Sequence, residues 1–136
     1  MTTMWHITHR RSGSVAVMVL ACLALGACGS KLRFSEAELT DMTRCVGGTV
    51  FPGRQSDRHA SYTRACESAY GKLRISEFED DQARDAYLAG EVINHITGRK
   101  ADYAFFVYGN GWAIACQSRT SQEKVADVTG GEAAPS

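Results

Sequence analysis

The sequence predicts an α+β fold, with about three helices packed on a small antiparallel hairpin or sheet. Three observations support this prediction: capping signals begin two helices, a broad apolar stripe recurs at helical spacing over residues 77–97, and a run of aromatic residues crosses a glycine-rich turn near residue 110. A chain of this length is expected to form one domain with a modest core.

The first predicted helix covers residues 36–46. Ser35 is placed to cap it, and Glu38 is placed to reach back to the Ser35 backbone, which is the pattern of a capping box. Gly47 and Gly48 are expected to end it.

A second helix is predicted between a cap at Ser56 or Asp57 and an end at Gly71, because residues at helical spacing fall along one face there. These residues are His59, Tyr62, Cys66, Ala69 and Tyr70. Residues 49–53 read as an extended segment that ends in a Pro-Gly turn, and residues 72–75 as a short strand.

The third helix is predicted over residues 77–97. A second capping box, Ser76 with Glu79, and a group of acidic residues favour a helix start, which the helix dipole stabilises. The acids are better explained by this role than as a calcium site or as catalytic carboxylates. The apolar stripe consists of Ala86, Leu88, Ala89, Val92, Ile93 and Ile96.

A β-hairpin is predicted from residues 103–108 and 112–117, joined by a turn at Gly109-Asn110-Gly111. The first strand is apolar on both faces, so both faces need cover. We expect the domain itself to cover them. The alternative is that Tyr108 and Trp112 form an exposed patch for a partner.

Residues 34–117 are expected to fold as the globular domain, and residues 118–136 to be a disordered tail with few large apolar side chains. Metal binding is not expected, because no close pair of Cys or His ligands occurs. No cofactor motif is present.

The N-terminus has the pattern of an export signal. Arg10 and Arg11 precede an uninterrupted apolar run of 11 residues, Val15–Leu25. As a helix this run would span only about 17 Å, well short of the ~30 Å hydrocarbon core of a bilayer. A charged segment followed by a short apolar run predicts a secretory signal rather than a membrane span.

The residues that end this run, Leu25-Gly26-Ala27-Cys28, resemble the lipobox of bacterial lipoproteins. The resemblance implies that residues 1–27 are a signal peptide, that Cys28 carries lipid such as palmitate, and that residues 28–33 are a tether. It also implies a cell-envelope location. Gly29 stands where Asp often marks inner-membrane retention, which favours the outer membrane facing the periplasm.

Removing residues 1–27 takes away two of the 15 basic residues and none of the 15 acidic ones, which leaves a net charge of −2. This charge does not suggest a nucleic-acid partner. The expected partners are the membrane, through the lipid anchor, and an envelope protein.

Three cysteines follow the anchor, namely Cys45, Cys66 and Cys116. Disulfides persist in exported proteins, and three cysteines allow one bridge. We favour Cys45 with Cys66, because both fall on neighbouring predicted helices; Cys66 with Cys116 is the alternative.

Three functions remain open from the sequence. The favoured one is a lipid-anchored, non-enzymatic protein that binds or supports another envelope component. The second is a small envelope enzyme that uses His59 or His95 with an acid or a thiol. The third is an exclusion or inhibitor lipoprotein of the phage or plasmid type, which small anchored domains resemble.

Overall fold

The structure, a computed structural model, describes residues 33–53, 57–98 and 102–135. The signal peptide, Cys28 and the tether up to residue 32 lie outside the described residues, and they stay predictions. Within the described ranges, no helix is both long and apolar enough to cross a bilayer.

The described chain contains three helices and six strands. In chain order they are α1 (Glu36–Met42), β1 (Val46–Pro52), β2 (Tyr62–Ser68), β3 (Gly71–Glu77), α2 (Asp81–Ile96), β4 (Phe105–Gly109), β5 (Trp112–Cys116), α3 (Arg119–Thr129) and β6 (Glu132–Ala133).

All six strands form one antiparallel sheet with the order β1-β2-β3-β5-β4-β6. The α+β class is therefore confirmed. The predicted layout of three helices on a hairpin or small sheet is wrong in two respects. The sheet has six strands, and the helices lie on both of its faces.

One face of the sheet is covered by α1 and α3. Leu39 of α1 and Val125 of α3 are fully buried in the same core cluster as the sheet residues of this face. The sheet contributes Leu73, Ile75, Val107, Ile114 and Cys116, all at 0% exposure. We call this side the α1/α3 face.

The opposite side, which we call the α2 face, has a second core cluster. Tyr87 of α2 packs there with Phe78, Phe106, Ala113 and Ala115. The Tyr87 ring lies 5.2 Å from the Phe78 ring and 6.1 Å from the Phe106 ring, centroid to centroid. Since β5 is buried along its whole length, the expectation that the domain covers both faces of the hairpin holds for this strand.

The first predicted helix begins where expected and ends early. Ser35 and Glu38 make the reciprocal contacts of a capping box, so this prediction is confirmed. The helix ends at Met42 rather than residue 46. Gly47 and Gly48 form a bulge in β1 instead, and Gly48, at a φ of +97°, lies so close to β2 that a Cβ would meet the Ala65 carbonyl oxygen.

The second predicted helix is wrong, because residues 62–68 form strand β2 between β1 and β3. The predicted strand at residues 72–75 is confirmed as part of β3. The predicted third helix is confirmed, although it begins at Asp81 with Asp80 as its cap. The second capping box is therefore wrong, since Ser76 belongs to β3.

The prediction of a disordered tail is also wrong. Ser118 caps helix α3, and Val125 of this helix is fully buried. Hydrogen bonds add to this contact: Ser121 Oγ donates to the Tyr70 carbonyl at 2.5 Å, and Gln122 Nε2 donates to the Phe106 carbonyl at 2.8 Å. The domain thus extends past residue 117.

Candidate functional site

The candidate site lies on the α2 face, where three strands place one residue each in a row. Arg74 of β3 is paired with Ala115 of β5, which is paired with Phe106 of β4. Together they form the floor of a cavity of about 230 Å³. Tyr87 and Glu91, one turn apart on α2, line it above the sheet, and Asp102 and Tyr103 complete the lining.

A partly buried polar network holds Arg74 at the floor of this cavity. Its Nη2 donates to Asp57 Oδ1, and the Ser76 hydroxyl donates to Asp57 Oδ2 at 3.0 Å. The Asp57 amide donates to the Thr63 hydroxyl at 3.0 Å, and the Thr63 and Ser76 hydroxyls are 3.2 Å apart. Thr63 and Ser76 are almost fully buried, so the Ser76 hydroxyl holds the Asp57 carboxylate while the Thr63 hydroxyl holds the Asp57 backbone amide.

Glu91, one of two acids that line the cavity, has a raised pKa. Partial burial raises the pKa of Glu91, and the negative charge of Asp57 raises it further, against smaller opposing effects of Arg74 and Asn94. Burial likewise raises the pKa of Tyr103 and of Tyr87. The cavity is thus a partly desolvated place in which an additional negative charge is disfavoured.

An apolar groove continues from the cavity along the C-terminal half of α2. Leu88, Val92 and Ile96 follow one another at four-residue spacing, so they lie along one side of the helix. Across from them are Ala104, Phe106, Ala134 and Pro135, and Glu91 and His95 also line the groove, whose volume is about 160 Å³. The groove and the cavity share Glu91 and Phe106.

Of the two residues in the predicted partner patch, Trp112 is not on the surface and Tyr108 is partly exposed. Trp112 has only 1% of its surface exposed, and a Cβ at Gly109 would meet its ring. Tyr108 is partly buried, with the Arg84 guanidinium 5.2 Å from its ring centroid. The hypothesis of an exposed patch is therefore wrong for Trp112.

Arg84 has a structural role beside this ring. It is buried, donates to the Gly109 carbonyl, and pairs with Asp81 and Asp85. Asp81 in turn accepts a hydrogen bond from the Gly111 amide at 2.8 Å. These contacts fasten the first turns of α2 to the β4–β5 turn, so Asp81 and Asp85 act here through Arg84 and the Gly111 amide, a role that the sequence did not indicate.

Two of the three cysteines form the favoured pair, and Cys116 is left as a free thiol. Cys45 and Cys66 lie at disulfide distance, with their Cα atoms 5.6 Å apart. Cys116 is buried and reduced in the core of the α1/α3 face, where burial raises the pKa of its thiol to about 11. A thiol in this state is a poor nucleophile at neutral pH.

The two histidines named by the sequence lie apart from this thiol. His59 is exposed in the turn before β2, at a φ of 68°. His95 is exposed near the end of α2 and lines the groove together with Glu91. Among the described residues, no group of three or more His, Cys, Asp or Glu side chains could hold a metal ion.

Sequence reasoning missed the cavity residues Arg74, Glu91, Asp102 and Tyr103. They come from three separate segments, and only the register of β3, β5 and β4 brings them together. Asp57 was considered only as a helix cap. No local motif joins these positions, so only the recognition of β2 as a strand beside β3 would have pointed to them.

Comparison with known proteins adds no family. No protein-family model, curated protein or solved structure matches the chain significantly.

Proposed function

We propose that this protein is a lipid-anchored, non-enzymatic protein of the cell envelope that binds a segment of another envelope protein along the α2 groove. One observation carries the proposal: α2 leaves Val92, Ile93 and Ile96 exposed at 47%, 60% and 77%, beside an apolar groove. Neighbouring large apolar side chains that are left in water mark an interaction surface more often than scattered single ones do.

The position of the groove along α2 supports a protein as its occupant. Arg33 donates to the carbonyls of Phe78 and Glu79, so the described chain enters the domain beside the start of α2. The groove lies along the other half of this helix, whose 16 residues span about 24 Å, so the entering chain does not cover it. A segment of another protein is therefore the occupant that we propose.

The anchor is tested by metabolic labelling with a fatty-acid probe. We expect the wild-type chain to be labelled and Cys28→Ser to remain unlabelled and unprocessed. Labelling of Cys28→Ser at the wild-type level would contradict the anchor.

The binding surface is tested by replacing Ile96 with a photo-crosslinking amino acid in living cells. The matched control carries the same amino acid at Val128, which is 41% exposed on α3, a helix of the other face. We expect one discrete crosslinked product from position 96 and none of that size from position 128. Equal products from both positions, or no product from position 96, would refute the proposed surface.

A further inference from the structure

We propose that the cavity beside the groove is a subsite for a cationic side chain, a lysine or an arginine of the bound segment. The inference rests on the proposed function, because the cation would belong to the partner in the groove. The two sites are continuous, since Glu91 and Phe106 line both of them. A segment with apolar side chains in the groove would therefore have one side chain next to the cavity.

The size of the cavity favours a single side chain. Its volume of about 230 Å³ is several times the ~30 Å³ share of one water molecule. It lies below the ~300–1,000 Å³ of typical sites for whole small molecules. An alkylammonium or guanidinium group with its methylene stem is of the right size, and Ala115 adds only a methyl group to the floor.

The charges around the cavity favour a cation over an anion. Arg74 is the one basic residue among the lining residues described, and its charge is already offset by Asp57. Glu91 and Asp102 remain as acids in the lining. Arg58 lines a neighbouring cavity with Tyr87 and Glu91, and even with Arg58 counted, the three acids outnumber the two bases.

The aromatic lining has the same preference. Tyr87, Tyr103 and Phe106 line the cavity, and the faces of aromatic rings attract cations. Arg74 already uses this attraction, with its Cζ 5.8 Å from the Tyr103 ring centroid. The raised pKa of Glu91 agrees, because an added positive charge would relieve the repulsion between Glu91 and Asp57.

The test uses two small cations, n-butylammonium as a mimic of lysine and n-propylguanidinium as a mimic of arginine. Each is titrated into the isotope-labelled full chain in an uncharged detergent, while the backbone amide signals of Tyr87, Glu91, Tyr103 and Ala115 are followed by NMR. n-Butanol and n-butyrate serve as neutral and anionic probes of matched size. The double variant Glu91→Gln, Asp102→Asn is compared with Glu123→Gln, Asp127→Asn on the exposed surface of α3.

We expect saturable shifts at these four signals with at least one cation, and binding at least about tenfold weaker for the cavity variant, since a hydrogen bond to a charged group is lost. The α3 variant should bind like wild type. Butyrate or butanol binding as tightly as both cations, the absence of saturable shifts, or unchanged binding in the cavity variant would overturn the inference. None of these results depends on the crosslink from Ile96, so the subsite and the groove can fail separately.

Discussion

The two faces of the sheet are built from the same five long strands and yet differ in character. The α1/α3 face is closed over the centre of the sheet: Leu73, Ile75, Val107, Ile114 and Cys116 are fully buried, and the Cys45–Cys66 bridge joins β2 to the segment between α1 and β1. The α2 face is open: it has a polar network under a cavity, and its helix carries three exposed large apolar side chains.

This difference indicates which face stabilises the fold and which face is available for binding. Apolar burial contributes most of the free energy of folding in a small domain. An ion pair in a cavity and apolar side chains in water contribute little or oppose folding. We infer that the α1/α3 face stabilises the fold and that the α2 face is the one available for binding.

The largest expected effect comes from a matched pair of substitutions. Ile114→Ala removes a fully buried side chain from the α1/α3 face, so we expect the free energy of unfolding to fall by about 2–5 kcal/mol. Ile96→Ala removes a side chain that is 77% exposed, so the change should stay within about 0.5 kcal/mol. Urea unfolding followed by tryptophan fluorescence measures both. Similar losses of unfolding free energy in the two variants would contradict the difference between the two faces.

The disulfide gives the next effect. Cys45→Ala removes a bridge between residues 21 apart, and we expect a loss of about 3 kcal/mol because the unfolded chain gains freedom. The same loss should follow from reducing the wild-type protein, and reduction should not affect the variant further. If reduction leaves wild-type stability unchanged, the bridge does not hold the closed face together.

The polar network should give a smaller effect. Asp57→Asn removes the charge that pairs with Arg74 and keeps the shape, so we expect a loss of about 1–3 kcal/mol in unfolding free energy. The same change removes a negative charge that acts on Glu91, so the pKa of Glu91 should fall. Carbon-detected NMR titration of the Glu91 carboxyl group measures this shift. An unchanged or higher pKa of Glu91 would show that the charge of Asp57 does not act on the cavity.

The smallest effect concerns Glu91 and pH. Its pKa is raised on folding, so the folded state binds the proton more tightly and stability declines as pH rises above the ordinary value of 4.5. Glu91→Gln should therefore match wild type below this pH and exceed it at pH 7, by less than about 1 kcal/mol because the group is partly solvated. Glu123→Gln on exposed α3 is the control. If Glu91→Gln is less stable than wild type at pH 7, the predicted direction of the effect is wrong.

Features fixed by local chemistry could be predicted from the sequence. Ser35 and Glu38 make their capping box, and Asn110-Gly111 makes the hairpin turn, because each depends on residues a few positions apart. The α2 stripe also predicted its helix, although Val92, Ile93 and Ile96 turn out to be exposed rather than buried. A stripe shows which side of a helix is apolar and cannot show whether another element covers it.

Two failures have physical causes. Tyr62 and Cys66 are four residues apart, a spacing that puts side chains on the same side of both a helix and a strand, and pairing with β1 and β3 decided for the strand. Helix α3 was missed because Val125 is its one large side chain in the core. Much of its attachment comes from the polar contacts of Ser121 and Gln122, which hydropathy does not detect.

The division between a stabilising face and a binding face is tested most directly by one substitution of matched chemistry on each side. Ile96→Glu and Val128→Glu each place a charge at an exposed apolar position, on α2 and α3 respectively. With a crosslinker at Val92, the yield of the crosslinked complex in cells is measured next to the unfolding midpoint of each variant. We expect the free energy of unfolding derived from this midpoint to stay within about 0.5 kcal/mol of wild type in both variants, and only Ile96→Glu to lose the complex. Full yield from Ile96→Glu, or equal loss from Val128→Glu, would contradict the assignment of binding to the α2 face.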